Sequence, residues 1–236
     1  MTGMRTFLPR AVAVFLLLFS AASIRSASQA EEYQVDLALV LAIDCSFSVD
    51  SNEFRLQMEG LGRAFLRREI QEAIRKGATG RIAVMALQWS DENNQMVVVP
   101  WTVISNPDQA EALGKILARM PRRLAEGGTS ISTALQYSAM QFDFAPSAER
   151  NVIDISSDGR NNIGPPVNMV RDRIVARGIT INALTILNEW PTLDQYFERN
   201  VVGGQANFVM PANDYVSYAE AIYKKLLREI VGPGIS

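Results

Sequence analysis

The chain has 236 residues, 23 of them basic and 25 acidic, with a single cysteine and no histidine. One cysteine excludes an intramolecular disulfide, and the lack of histidine removes the usual general base, the base of a serine triad and the commonest zinc ligand. A formal net charge of −2 argues against a nucleic-acid partner.

The first thirty residues read as a cleavable export signal. Arg5 and Arg10 precede the apolar stretch "AVAVFLLLFSAA", Ala11 to Ala22, which is followed by small residues ending in "SASQA". That stretch falls short of the about 20 apolar residues a bilayer span needs. Ser28 and Ala30 place small side chains where a signal peptidase reads them, so cleavage is expected after Ala30 and no membrane attachment afterwards. Export implies the periplasm or the medium. Residues 31–236 then form one domain, with 20 basic residues against 25 acidic ones, a net charge of −5.

Apolar runs of strand length alternate from here with segments of helical period, the pattern of a mostly parallel sheet covered by helices on both faces. "YQVDLALVLAID" is nearly continuous in Leu, Val, Ala and Ile, as in a central strand buried on both sides. Phe54, Met58, Leu61, Phe65 and Ile70 then recur at roughly helical spacing, predicting one helix that Gly77 stops. "RIAVMALQWS" and "QMVVVPWTVI" are strands separated by the short polar "DENN", so one of them runs antiparallel at an edge, where Pro100 is tolerated.

"SNPDQAEALGKILARM" opens a helix with Asn106 as cap and Pro107 in the first turn. The loop "RRLAEGGTS" leads into a helix over "ISTALQYSAMQF", and "RNVIDISSDG" is the next strand. A helix after Pro165 and Pro166, closed by Gly178, precedes the strand "ITINALTIL". A short helix around "TLDQYFERN", a small strand "NFVMP" and a final helix complete the order. In that helix Tyr215, Tyr218, Ala219, Ile222, Leu226 and Ile230 make the apolar stripe, and Lys224, Lys225 and Arg228 suit the negative end of the helix dipole. Trp89, Trp101 and Trp190 read as core or rim.

Three polar clusters fall where the carboxyl ends of strands converge, the place where open α/β sheets bind ligands. They are "DCSFS" (Asp44, Ser46, Ser48), "GGTS" (Thr129) and "SSDG" (Asp158). Cys45 alternates away from the others. Two carboxylates about 5 Å apart at an effective dielectric near 20 repel by about 3 kcal/mol, so the pair calls for a proton or a cation between them. Hard oxygen donors without nitrogen or sulfur fit Mg²⁺, with Mn²⁺ and Ca²⁺ as alternatives. The competing reading is structural: Ser46 and Ser48 cap the first helix, Asp44 receives backbone amides and Thr129 caps a later helix.

In this order and on these elements, Asp44-x-Ser46-x-Ser48, Thr129 and Asp158 resemble the metal-ion-dependent adhesion site of von Willebrand factor type A domains, and most nearly those of exported bacterial proteins. The resemblance spans nearly all of residues 31–236 and implies a Rossmann-like α/β fold. It also implies that the five residues surround a divalent cation, directly or through water. A further implication is that the cation takes an acidic side chain from a protein partner, with no catalysis. Two other functions compete: a structural domain with an empty site, and a metal-dependent phosphatase. The phosphatase needs a second carboxylate two residues after Asp44, where this chain has Ser46. A serine hydrolase fails for want of histidine and of a G-x-S-x-G turn.

Asp154 departs from the resemblance, because an apolar residue is expected there. Buried in a strand, it needs a hydroxyl, a backbone amide or a basic partner. Asn161 and Asn162, after Asp158, either shape the rim of the site or form an ordinary turn.

Overall fold

Apart from the first two residues, the computed structural model describes residues 34–233. The expected export signal lies outside them. Among the described residues no helix is long and apolar enough to cross a membrane.

Six strands form one sheet: β1 (Val35–Asp44), β2 (Ile82–Trp89), β3 (Gln95–Ile104), β4 (Ala148–Ser157), β5 (Ile179–Ile186) and β6 (Val209–Ala212). Their spatial order is β3-β2-β1-β4-β5-β6. All neighbours are parallel except β3, which runs antiparallel to β2 at the edge, as the short "DENN" turn predicts. Opposite Pro100 the β2–β3 register slips on both sides of Ala86, so the proline occupies an irregular edge position that needs no ladder donor.

The helices are α1 (Ser51–Leu66), α2 (Arg68–Lys76), α3 (Pro107–Ala118), α4 (Ile131–Gln141), α5 (Val167–Val175), α6 (Leu193–Asn200) and α7 (Tyr218–Val231). Period-two alternation in β1 assigns them to two layers. Leu37, Leu39, Leu41 and Ile43 pack into the core under α1, α2, α3 and α7, which contribute Met58, Ile70, Leu113 and Ile222. Val40 and Ala42 face the other core, with Leu135 of α4, Val170 of α5 and Phe197 of α6. Both faces of the sheet are thus dry, and this is why β1 tolerates no polar residue between Asp36 and Asp44.

Two expectations are corrected. The helix expected to run to Gly77 is broken at Arg67, which is extended (φ −68°, ψ 132°). Buried positions 54, 58, 61 and 65 follow a helical stripe, but the next, Ile70, comes five residues on, so a straight helix would rotate it off the core. The break at Arg67 turns Ile70 and Ile74 back inward.

Lys225, read from the sequence as one of the bases that suit the helix dipole, is instead fully buried. Its ammonium lies 2.7 Å from Asp154 Oδ1 and 2.6 Å from Glu229 Oε1, so Asp154 finds the basic partner it requires. Asn182 of β5 donates to the same Glu229 oxygen at 2.9 Å.

Candidate metal centre

The strand order reverses between β1 and β4: from β1 the chain winds outward through β2 and β3, then returns to the other side of β1 as β4. Loops after adjacent strands that diverge in this way leave a crevice at their carboxyl ends. Asp44 ends β1, and Asp158 follows the last residue of β4. Parallel pairing of Ile43 with Ser156 sets the two strand tips side by side.

The side chains interlock across that seam. Ser157 donates to Asp44 Oδ2 at 2.5 Å, and the Ser46 N–H donates to Asp44 Oδ1 at 2.7 Å. Ser46 and Ser48 hydroxyls meet at 3.3 Å, and Ser48 donates to Asp158 Oδ1 at 2.6 Å. Tyr215, from the loop before α7, donates to Asp158 Oδ2 at 3.1 Å. A Cβ on Gly159 would stand 3.4 Å from Thr129 Oγ1 and 3.9 Å from Ser48 Oγ, so the backbone beyond Asp158 runs directly beside both hydroxyls. All five expected residues therefore gather at one point. Asp44, Ser46, Thr129 and Asp158 are buried there and Ser48 is half-buried.

None of the three hydroxyls caps a helix. Asp50 caps α1, accepting from the N–H groups of Asn52 and Glu53 while Glu53 accepts from the Asp50 N–H. The side chain of Ser130, at the start of α4, makes no capping bond; Asn161 reaches across and accepts from the Ser132 N–H at 3.0 Å. Asn162 accepts from the Thr129 N–H at 2.9 Å. These two asparagines fasten the Thr129 loop to the loop after β4. The structural reading is thereby corrected: capping falls to residues outside the cluster, and only Asp44 receives a backbone amide as that reading expects.

The electrostatics follow from burial. Removal from water, and next the charge of Asp158, push the Asp44 carboxyl to about 7, against the hydrogen bonds from Ser157 and Ser46. Burial also raises Asp158, opposed by Ser48 and Tyr215. Burial first, then the nearby carboxylates, raise the Tyr215 hydroxyl, so it stays a donor. Cys45 lies in the core beneath, its thiol raised by burial and then by Asp44, and takes no part.

Among the described residues no cationic side chain is bonded to either of these two buried carboxylates, and such a pair, surrounded by hydroxyls, suits a hard divalent cation. Asp44, Ser46, Ser48, Thr129 and Asp158 would hold it, some through water. Among the described residues no three of His, Cys, Asp and Glu converge, so the hydroxyls are needed to complete any such site. Sequence reasoning missed Ser157 and Tyr215. Ser157 was recoverable from "SSDG", because parallel pairing of the two tips sets it against Asp44; Tyr215 carried only the signature of a core aromatic.

The family described as "Protein of unknown function (DUF1194)" matches residues 34–234. The chain belongs to that family. This member has the von Willebrand factor type A fold. It is similar to proximal thread matrix protein 1 of the mussel byssus with a zinc-occupied MIDAS motif (TM-score 0.64, 16% identity, 85% of this chain and 49% of that one). It is also similar to a von Willebrand factor type A protein of Catenulispora acidiphila (0.56, 20% identity, 83% and 43%). A third likeness is to the pilus adhesin SpaC of Lactobacillus rhamnosus GG in an open conformation (0.59, 14% identity, 83% and 30%). The chain thus spans about half the length of the mussel protein or less of the others. No curated protein matches it.

Proposed function

We propose that this DUF1194 member is an exported, non-catalytic binding domain. It holds a divalent cation, Mg²⁺ by preference, with Asp44, Ser46, Ser48, Thr129 and Asp158, and through that cation takes an Asp or Glu side chain of a partner protein. The observation that carries the reading is the convergence of three hydroxyls, none needed as a helix cap, on two buried carboxylates at the crevice between β1 and β4. Such an arrangement is electrostatically unfavourable when both acids are ionised and is relieved by a cation. The mussel protein of similar fold, with zinc in its MIDAS motif, supports the cation; its identity of 16% carries nothing about the partner.

Thermal melting with Mg²⁺, with Mn²⁺ and with chelator tests the cation. At about 100 times its dissociation constant, a cation adds about 2.7 kcal/mol to stability. The expected result is a rise in melting temperature that Asp158→Ala abolishes; an unchanged wild-type curve contradicts the proposal.

A further inference from the structure

Around the mouth of the centre the fold leaves three large apolar side chains in water, each on a different loop. Phe47, between Ser46 and Ser48, is 78% exposed although its backbone N–H is fixed to Gly127 O at 3.0 Å. Val216, adjoining the Tyr215 that touches Asp158, is 80% exposed. Trp190, in the loop after β5, is 47% exposed. Adjacent strands lie about 4.8 Å apart, so loops after β1, β5 and β6 flank the β1–β4 crevice within roughly 10–15 Å. Phe47 and Val216 each adjoin a residue of the centre, and Trp190 lies against Arg160, two residues past Asp158.

The charges beside them are ordered too. Arg160, two residues past Asp158, lies 5.0 Å from the Trp190 ring centroid and 5.5 Å from that of Tyr196, and donates to Thr192 Oγ1 at 3.0 Å. On the α1 side stand Asp50 and Glu53, and Asn188 joins the Trp190 loop to Glu53 with a 3.3 Å bond that brings Glu189 to the same rim. A divalent cation held by Asp44 and Asp158 would balance their charge and could accept one further carboxylate as a ligand. Rim acids repel a second one. Tryptophan and arginine are among the residues on which interface energy usually concentrates, and here Trp190 and Arg160 stand together beside the exposed Phe47 and Val216.

Resting on the cation-binding reading, we infer that the partner offers a segment in which one Asp or Glu is flanked by large apolar residues rather than by further acids. The carboxylate meets the cation, and the flanking side chains pack on Phe47, Val216 and Trp190. These three residues set specificity without holding the cation.

The test is panning of a peptide library with a fixed central Asp and randomised flanks on the intact domain in Mg²⁺, with elution by chelator. Enrichment of Leu, Ile, Phe or Trp beside the Asp, and loss of binding when that Asp becomes Asn, is expected. For the selected peptides, Phe47→Ser and Trp190→Ser each weaken binding about tenfold. Both variants keep the wild-type melting shift with Mg²⁺. Selection of Asp peptides without apolar flanks, binding unchanged in both variants, or a cation-dependent melting shift with no peptide enriched would overturn the inference and leave the cation site standing. Self-association abolished by Phe47→Ser would assign the patch to a second copy and overturn it as well. Absence of any cation-dependent melting shift would remove the proposed function and this inference together.

Discussion

Tyr215 donates a hydrogen bond to Asp158 Oδ2 at 3.1 Å, and so ties the segment that leads into the last helix to the tip of a strand from the middle of the sheet. The oxygen it reaches belongs to a carboxylate already engaged at Oδ1 by Ser48. Removal of the phenolic hydroxyl leaves a buried carboxylate oxygen short of a donor, which costs about 1–3 kcal/mol. Tyr215→Phe is therefore expected to lower stability by that amount in urea titration and to weaken cation affinity, because the ionised form of Asp158 loses support. A variant of unchanged stability and affinity would show that the contact is incidental.

The cation-free protein should lose stability as pH rises through neutrality. Asp44 is raised to about 7 by burial and then by Asp158, and Glu229 to about 8 by burial and then by Asp154. An unfolded carboxyl titrates near 4, so between about pH 4 and pH 8 the folded state binds more protons than the unfolded one, and stability falls with rising pH. A cation replaces the proton at Asp44 but does nothing for Glu229. The melting shift produced by Mg²⁺ is thus expected to be larger at about pH 7.5 than at about pH 5.5, and Glu229→Gln should flatten the slope that persists in Mg²⁺. A Mg²⁺ shift independent of pH would separate Asp44 from cation binding.

Capping and cation binding separate by mutation. Asp50→Ala removes the acceptor that closes the first turn of α1 and should cost about 1 kcal/mol while preserving the Mg²⁺ shift. Thr129→Ala removes no cap and should do the reverse. Paired denaturation curves with Mg²⁺ and with chelator check both.

Lys225 lies between Asp154 and Glu229, wholly out of water. Lys225→Met strands two buried acids and should cost about 3–5 kcal/mol, whereas the triple variant that adds Asp154→Asn and Glu229→Gln should recover most of the loss. Urea unfolding of the single and triple variants gives the comparison. Equal loss in both would mean that lysine packing, rather than charge, matters here.

The succession of strands and helices, and the antiparallel edge, were legible because Val, Ile and Leu runs too short for helices alternate with amphipathic segments, and because "DENN" leaves no room for a crossover. Asp44 and Asp158 were legible as a pair once both were placed at carboxyl ends of parallel strands. The Arg67 break had a signal in the five-residue step from Phe65 to Ile70. Lys225 had one as well: Tyr218, Ile222, Lys225 and Glu229 follow steps of four, three and four, a single helix face, but two charges within it suggest solvent until Asp154 is set opposite. What sequence alone could not decide was the duty of each hydroxyl. A serine after a strand serves equally as cap or ligand, and only the positions of Asp50 and Asn161 show that capping is done by others.

The central claim is the seat of the cation, and anomalous diffraction from Mn²⁺-soaked crystals locates it directly. A single strong peak is predicted within bonding distance of side-chain oxygens from the Asp44, Ser46, Ser48, Thr129 and Asp158 set, and it should vanish in Asp44→Ala. A peak elsewhere, or none between Asp44 and Asp158 under saturating Mn²⁺, would contradict the account.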